Sequence, residues 1–223
     1  MNRLTKLANK YETDKGTKTG VANGYTEFYQ RFFNEYESPN IVEIGIFHGG
    51  SVKMMNEFFD GNCNILACDI DESSETYIKD IDAAKFFHVD ASKEDSLIAL
   101  KNEIDSNGGA DIIIDDASHF WADQMLTLRI LCNSVKNGGI YIIEDMHLGL
   151  LKWSNFFRSD APIEDSPLFY VLYPQENGFL TEEQHNLLRS KIESVEVFSK
   201  KNEKQTVLQV ADGRCITAVI KFN

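Results

Sequence analysis

Ile41-Val-Glu-Ile-Gly-Ile-Phe-His-Gly-Gly-Ser51 decides the fold. A short apolar run stops at glycines, and residues 51–59 beyond it place apolar side chains three and four apart, as a helix requires. Reading outward, four more apolar runs follow at 64–68, 85–89, 111–114 and 139–143, with helix-compatible polar stretches between them. In the stretch 92–106, Ser92 with Asp95 forms a helix-starting pair. Strands that are apolar on both faces and alternate with helices predict a parallel sheet covered on both sides, a doubly wound α/β fold. Residues 181–192 read as a further helix opened by Thr181, and 194–198 and 215–222 as a sixth and seventh strand flanking Asp212-Gly213. The stretch 148–177 carries Trp153, Phe156, Phe157, Phe169, Tyr170 and Tyr173 among prolines with no regular period, the pattern of a lid or substrate loop.

The chain has 223 residues with 22 Lys+Arg against 35 Asp+Glu, a net charge of −13. So negative a chain repels phosphate backbones and has no basic, aromatic-interleaved patch, which excludes nucleic acid as an expected partner and favours small molecules and divalent cations. A hydrophobic fraction of 43% excludes global disorder. Absence of repeats or linkers predicts one domain over 1–223. No stretch approaches about 18 uncharged apolar residues and the start has no signal-peptide core, so the expectation is a cytoplasmic chain without membrane contact. Cys63, Cys68, Cys132 and Cys215 lack metal-site spacing and read as reduced thiols.

The glycine turn offers a helix N-terminus and close backbone approach to a ligand. Gly45, Gly49 and Gly50 are spaced G-x-x-x-G-G, unlike the G-x-G-x-x-G of dinucleotide binders, and Glu43 just before them opposes phosphate while suiting an ammonium group. The second strand ends in Asp69, where doubly wound folds place an acid against ribose hydroxyls. The third ends in Asp90-Ala91, whose carboxylate could accept an exocyclic adenine amine.

Ala110-Asp-Ile-Ile-Ile-Asp-Asp-Ala-Ser-His119 and Gly138-Gly-Ile-Tyr-Ile-Ile-Glu-Asp-Met-His147 both end strands in paired acids. In a parallel sheet these ends open on one edge, so Asp115, Asp116, Glu144 and Asp145 converge. Like charges there conflict unless a cation intervenes. All-oxygen ligands favour Mg²⁺ first, then Mn²⁺ or Ca²⁺, over Zn²⁺. His119 beside them suits a general base. The plainer alternative makes the acids helix caps and His119 a packed histidine.

The motifs V-E-I-G-I-F-H-G-G-S at 42–51, C-D-I-D at 68–71 and H-V-D-A at 88–91 resemble those of class I S-adenosylmethionine-dependent methyltransferases. That resemblance implies a seven-stranded Rossmann-like sheet, mostly parallel with the last strand antiparallel, and helices on both faces. It puts Gly45, Gly49 and Ser51 at the donor's methionine end, Asp69 at its ribose, and Asp90 with Ala91 at its adenine. I-D-D-A-S-H at 114–119 and Y-I-I-E-D at 141–145 narrow the resemblance to metal-dependent sugar O-methyltransferases of macrolide tailoring. By it Asp116, Glu144 and Asp145 hold the metal, His119 is the base and Asp115 lies near the donor's amino group; Glu43, suiting an ammonium group, goes with the donor site. Thr13-Asp-Lys-Gly-Thr17 with Gly24-Tyr25 and Tyr29 resembles the family's N-terminal cover over the donor, here within a helical segment 1–36. Ala117 replaces a usual glycine and Asn23 a common histidine, the latter changing the expected N-terminal substrate contacts.

His48 could touch donor or substrate, His88 reads as packing, and His147 could line an acceptor pocket. The leading expectation is therefore O-methyl transfer from S-adenosylmethionine to a carbohydrate-containing small molecule, with catechol-like or phosphorylated acceptors as alternatives. A nicotinamide-dependent oxidoreductase fits Asp69 but not the glycine spacing. A non-catalytic nucleoside- or metal-binding module is the third reading, and association into a homo-oligomer is open.

Overall fold

The computed structural model describes residues 1–18, 22–146, 181–201 and 214–223. The glycine-turn strand, β1 (Asn40–Ile44), lies at the centre of the sheet, between β2 (Asn64–Asp69) and β4 (Ala110–Asp115). With β3 (Ala84–His88), β5 (Val135–Ile143), β6 (Ile192–Lys201) and β7 (Arg214–Phe222) it builds seven strands in the order β3-β2-β1-β4-β5-β7-β6. The first five are parallel, and β7 runs antiparallel to both β5 and β6. The strand order reverses beside β1, the place where doubly wound sheets open a crevice at their C-terminal edge.

Successive β4 residues divide between two cores, as alternation demands. Ile112 and Ile114 pack with Leu4, Leu7, Tyr29, Phe33, Met54, Met55 and Phe58, from α1 (Arg3–Lys10), α2 (Thr26–Phe33) and α3 (Gly50–Phe58) on one face. Ile113 packs on the other face with Leu97, Leu100, Leu128 and Leu188, from α4 (Glu94–Ser106), α5 (Trp121–Leu131) and α6 (Glu182–Lys191). Both faces being apolar is why the inner strands read as continuous hydrophobic runs.

Several expected boundaries move for local reasons. The first apolar run reads as a strand over 41–46, but β1 stops at Ile44 because Gly45 turns the chain at φ +93°. α4 begins at Glu94, and Ser92 does not cap it: its N–H and hydroxyl both go to Asp90 Oδ1, at 2.9 and 2.6 Å. β5 starts at Val135, with a register irregularity against β4 before Ile140. Thr181 caps α6 in a reciprocal capping box with Gln184. The turn at Asp212-Gly213, His147 and the stretch 148–177 lie outside the described residues. Cys63, Cys68 and Cys132 are buried free thiols. Among the described residues no helix is long and apolar enough to cross a membrane.

Candidate active site

The ladder of β1, β4 and β5 continues one step past the strands. Asp116 N–H donates to Ile44 O at 2.9 Å, Gly45 N–H to Cys68 O at 2.8 Å and Glu144 N–H to Asp115 O at 3.0 Å. The paired acids are thereby aligned along one edge. Gly45 is required there, because a Cβ would lie 2.1 Å from the Asp116 carbonyl oxygen. Gly50 is constrained similarly by the Tyr11 carbonyl, 2.9 Å from a Cβ position, so the N-terminal segment crosses directly over the glycine turn. Phe47, His119 and Asp145 hold left-handed backbones at φ +49°, +59° and +52°, the kind of strain that concentrates at functional sites.

A cavity of about 1050 Å³ opens at this edge. Gly45, Ser51, Asp69, Asp90, Ala91, Asp116 and His119 line it, together with Phe47, His48 and the N-terminal residues 10–15. Asp69 is fixed by the N–H groups of Phe47 and Asp71, each at 2.9 Å. Bonds from Ser92 hold the Asp90 carboxyl below its ordinary pKa. His48 stacks on Phe47, with ring centroids at 3.7 Å, and lies tilted against Tyr77 at 4.7 Å. His88 is exposed rather than packed, with Nε2 3.1 Å from the Ile70 carbonyl.

Five expected site residues lie outside the cavity wall: Glu43, Gly49, Asp115, Glu144 and Asp145. Glu43 is fully buried and accepts from Ser51 Oγ at 2.6 Å. Asp115 is buried with the Tyr141 hydroxyl 3.4 Å away, and burial pushes its carboxyl up to about 7. The structure therefore sets both behind the site rather than on its surface.

Lys15 occupies the centre of the acids. Only 1% exposed, its ammonium donates to Asp116 Oδ2 at 2.5 Å and Glu144 Oε2 at 2.8 Å, and stands 3.5 Å from Glu43 Oε1. Burial disfavours that charge, but Asp116, Glu144 and Glu43 outweigh it and hold the lysine protonated. On the far side, Asp145 Oδ1 accepts from the Tyr25 hydroxyl and from Asn23 Nδ2, the latter at 3.3 Å. The motif reading of this N-terminal segment as a cover over the donor does not connect Lys15, Tyr25 or Asn23 to the acids. The available signal was the charge imbalance itself, since converging buried carboxylates require an internal cation.

One lysine does not balance the cluster. Burial raises the carboxyls of Asp116, Glu144 and Asp145 above their ordinary range. Glu144 Oε1 is buried with no hydrogen-bond partner. His119 lies between two acids, Nδ1 3.9 Å from Asp116 Oδ1 and Nε2 4.0 Å from Asp145 Oδ2. One ligand atom from each of these three residues falls within 4.8 Å of the others. Two carboxylates and an imidazole so placed fit a divalent cation; Glu144, an expected ligand whose Oε1 is buried without a hydrogen-bond partner, is not one of the three.

A seven-stranded sheet of this order, with its cavity at the glycine turn and acids at the ends of β4 and β5, is the class I methyltransferase fold. No protein-family model matches the chain. Among curated proteins it is 30% identical over 172 residues to mycinamicin VI 2''-O-methyltransferase of Micromonospora griseorubida, covering 73% of this chain and 40% of that one. It is 28% identical over 151 residues to L-olivosyl-oleandolide 3-O-methyltransferase of Streptomyces antibioticus, covering 64% and 36%. The chain thus spans about two fifths of the length of these relatives. Among solved structures, the MycE methyltransferase of the mycinamycin biosynthetic pathway, in complex with Mg, SAH and mycinamycin VI, superposes with a TM-score of 0.69 at 22% identity. That match covers 100% of this chain and 55% of MycE. The resemblance read from the motifs is supported in both fold and relatives: the chain is a homologue of O-methyltransferases of natural-product pathways.

Proposed function

We propose that the chain transfers the methyl group of S-adenosylmethionine to a hydroxyl of a sugar or sugar-bearing small molecule, at a centre that uses a divalent ion, Mg²⁺ first among candidates. The observation that carries this reading is the juxtaposition, on one sheet edge, of the glycine-turn cavity with the Asp116–His119–Asp145 cluster. The mycinamicin and olivosyl-oleandolide enzymes support a glycosylated natural product as the class of acceptor.

In this reading Asp69 accepts from the donor's ribose hydroxyls and Asp90, with Ala91, faces its adenine. The turn from Gly45 to Ser51 gives the methionine end close backbone approach. Asp116, Glu144 and Asp145 would hold the ion, which when bound lowers the pKa of an acceptor hydroxyl and fixes its orientation. His119 takes the hydroxyl proton. Asp116 and Asp145 stand on either side of its ring, 3.9 and 4.0 Å from the two nitrogens. Most of the rate advantage comes from holding nucleophile and methyl in line.

Calorimetry with S-adenosylhomocysteine and with NADH separates this from a nicotinamide enzyme, the expected result being binding of the former alone. Transfer of labelled methyl to a panel of glycosylated macrolides should be abolished by EDTA and restored by Mg²⁺. Asp116→Ala or Glu144→Ala retaining full turnover in EDTA would overturn the metal mechanism.

A further inference from the structure

Each of the three acids proposed as metal ligands has one oxygen already held from the N-terminal side. Lys15 Nζ takes Asp116 Oδ2 and Glu144 Oε2, and Tyr25 with Asn23 takes Asp145 Oδ1. The complementary oxygens of Asp116 and Asp145 lie beside His119, Oδ1 and Oδ2 at 3.9 and 4.0 Å from its ring nitrogens, and Glu144 Oε1 is one of the buried atoms without a hydrogen-bond partner. The donors themselves are fixed. The Lys15 carbonyl accepts from Thr26 N–H at 3.1 Å and Thr26 Oγ1 at 3.0 Å, Asn23 N–H donates to Asp14 O at 2.6 Å, and the Tyr25 ring stacks on Tyr29. A lysine so anchored at its backbone and buried at its tip has little freedom to let go.

We propose that Lys15 and Tyr25 are positioning residues that clamp the three carboxylates into one-oxygen ligation, and so tune the centre to a small octahedral ion rather than to Ca²⁺. The inference rests on the metal-dependent reading above and adds the source of its ion selectivity. The physical reason lies in coordination. Mg²⁺ and Mn²⁺ suit a near-octahedral set in which each carboxylate gives one oxygen, whereas Ca²⁺ takes 6–8 oxygens and commonly uses both oxygens of a carboxylate. A carboxylate whose second oxygen is bonded to an ammonium or a phenol cannot turn both toward the ion. Partners of this kind typically change metal affinity by about 10–100-fold when removed.

Removing the Lys15 charge alters attraction for every divalent ion alike, so absolute affinity is an ambiguous readout. The ratio of Ca²⁺ to Mn²⁺ dissociation constants is not, because the two ions carry the same charge. The test is calorimetric titration of the full chain with each ion, in the presence of S-adenosylhomocysteine, for wild type, Lys15→Met and Tyr25→Phe. Wild type should prefer Mn²⁺. The preference should fall in both variants, further in Lys15→Met, which loses the bonds to Asp116 and Glu144, than in Tyr25→Phe, which loses a single bond. The Mn²⁺ electron paramagnetic resonance spectrum should broaden in both variants as the ligand set loses symmetry. An unchanged or increased ratio in the variants, or a wild type that does not discriminate, overturns the clamp. Wild type that binds neither ion overturns instead the metal-dependent reading beneath it. Should Lys15→Met fail to fold, Tyr25→Phe decides alone, since it removes only a hydroxyl.

Discussion

Gly45→Ala is the sharpest perturbation of the link between glycine turn and acids. The added methyl carbon would lie 2.1 Å from the Asp116 carbonyl oxygen, 2.7 Å from its carbon and 3.0 Å from Ala117 Cα, all backbone atoms. Reaching even 3.0 Å from that oxygen needs a displacement of 3.0 − 2.1 = 0.9 Å at the end of β4. Such a movement strains two backbone bonds, Asp116 N–H to Ile44 O and Gly45 N–H to Cys68 O, each contributing about 1 kcal/mol. The backbone at φ +93° costs a further 1–2 kcal/mol, roughly, for any residue with a Cβ. The sum is a loss of about 3–4 kcal/mol, or on the order of 10 °C in Tm for a chain of this size. Gly61→Ala is the control: it also has positive φ, at +75°, but nothing lies within 4 Å of its Cβ position, so only the backbone cost of about 1–2 kcal/mol applies. Thermal unfolding and urea titration of both variants measure the difference. Equal destabilisation would show that β1 and β4 are not locked together at this point, and the alignment of Asp116 with the turn would need another cause.

Ser51→Ala removes the hydroxyl that donates to the buried Glu43 carboxylate at 2.6 Å and should cost about 1.5–3 kcal/mol in urea unfolding, whereas a neutral result would mean Glu43 does not depend on that bond. Glu57 accepts from Lys10 and Tyr11 on the surface joining α1 to α3, which holds its carboxyl below the ordinary 4.5 and the Lys10 ammonium above 10.5. The Glu57 contribution is therefore full above pH 4.5 and is lost as pH falls through the lowered value, while that of Lys10 is full below pH 10.5 and is lost as pH rises through the raised one. Glu57→Gln should flatten both limbs of the Tm profile, and salt should shrink the effect because the groups are exposed. A Glu57→Gln profile parallel to wild type at both ends would refute the linkage.

Much of the fold is legible because the inner strands are buried on both faces and carry no polar alternation to confuse their reading. Boundaries are less legible where a backbone event with no hydrophobic signature intervenes. Ile46 is buried and apolar, so its composition extends β1 past the point where Gly45 ends it. Ser92 has the chemistry of a cap, but Asp90, two residues before it, competes for the same hydroxyl and wins by proximity. The irregularity between β4 and β5 is a property of their pairing, which no single run of residues specifies.

The acids of the site are legible because strand ends are countable, and a parallel sheet sends all of them to one edge. Their division of labour is not, since depth is set by packing. Asp115 and Asp116 are neighbours in sequence, and alternation alone sends one behind the sheet toward Tyr141 and the other into the cavity. Lys15 is harder still, because a lysine in a loop between helices ordinarily reads as solvated; its burial follows only once α2 pins its carbonyl and the carboxylates lie within reach. That placement also changes the meaning of Asn23. Against the expected pattern it looked like a lost substrate contact, yet its side chain is buried and donates an N–H to Asp145 Oδ1 and another to Asp14 Oδ2, at 3.3 and 3.4 Å. A histidine ring can also supply an N–H donor, so the exchange preserves the kind of bond Asp145 receives while changing the shape of the group that gives it.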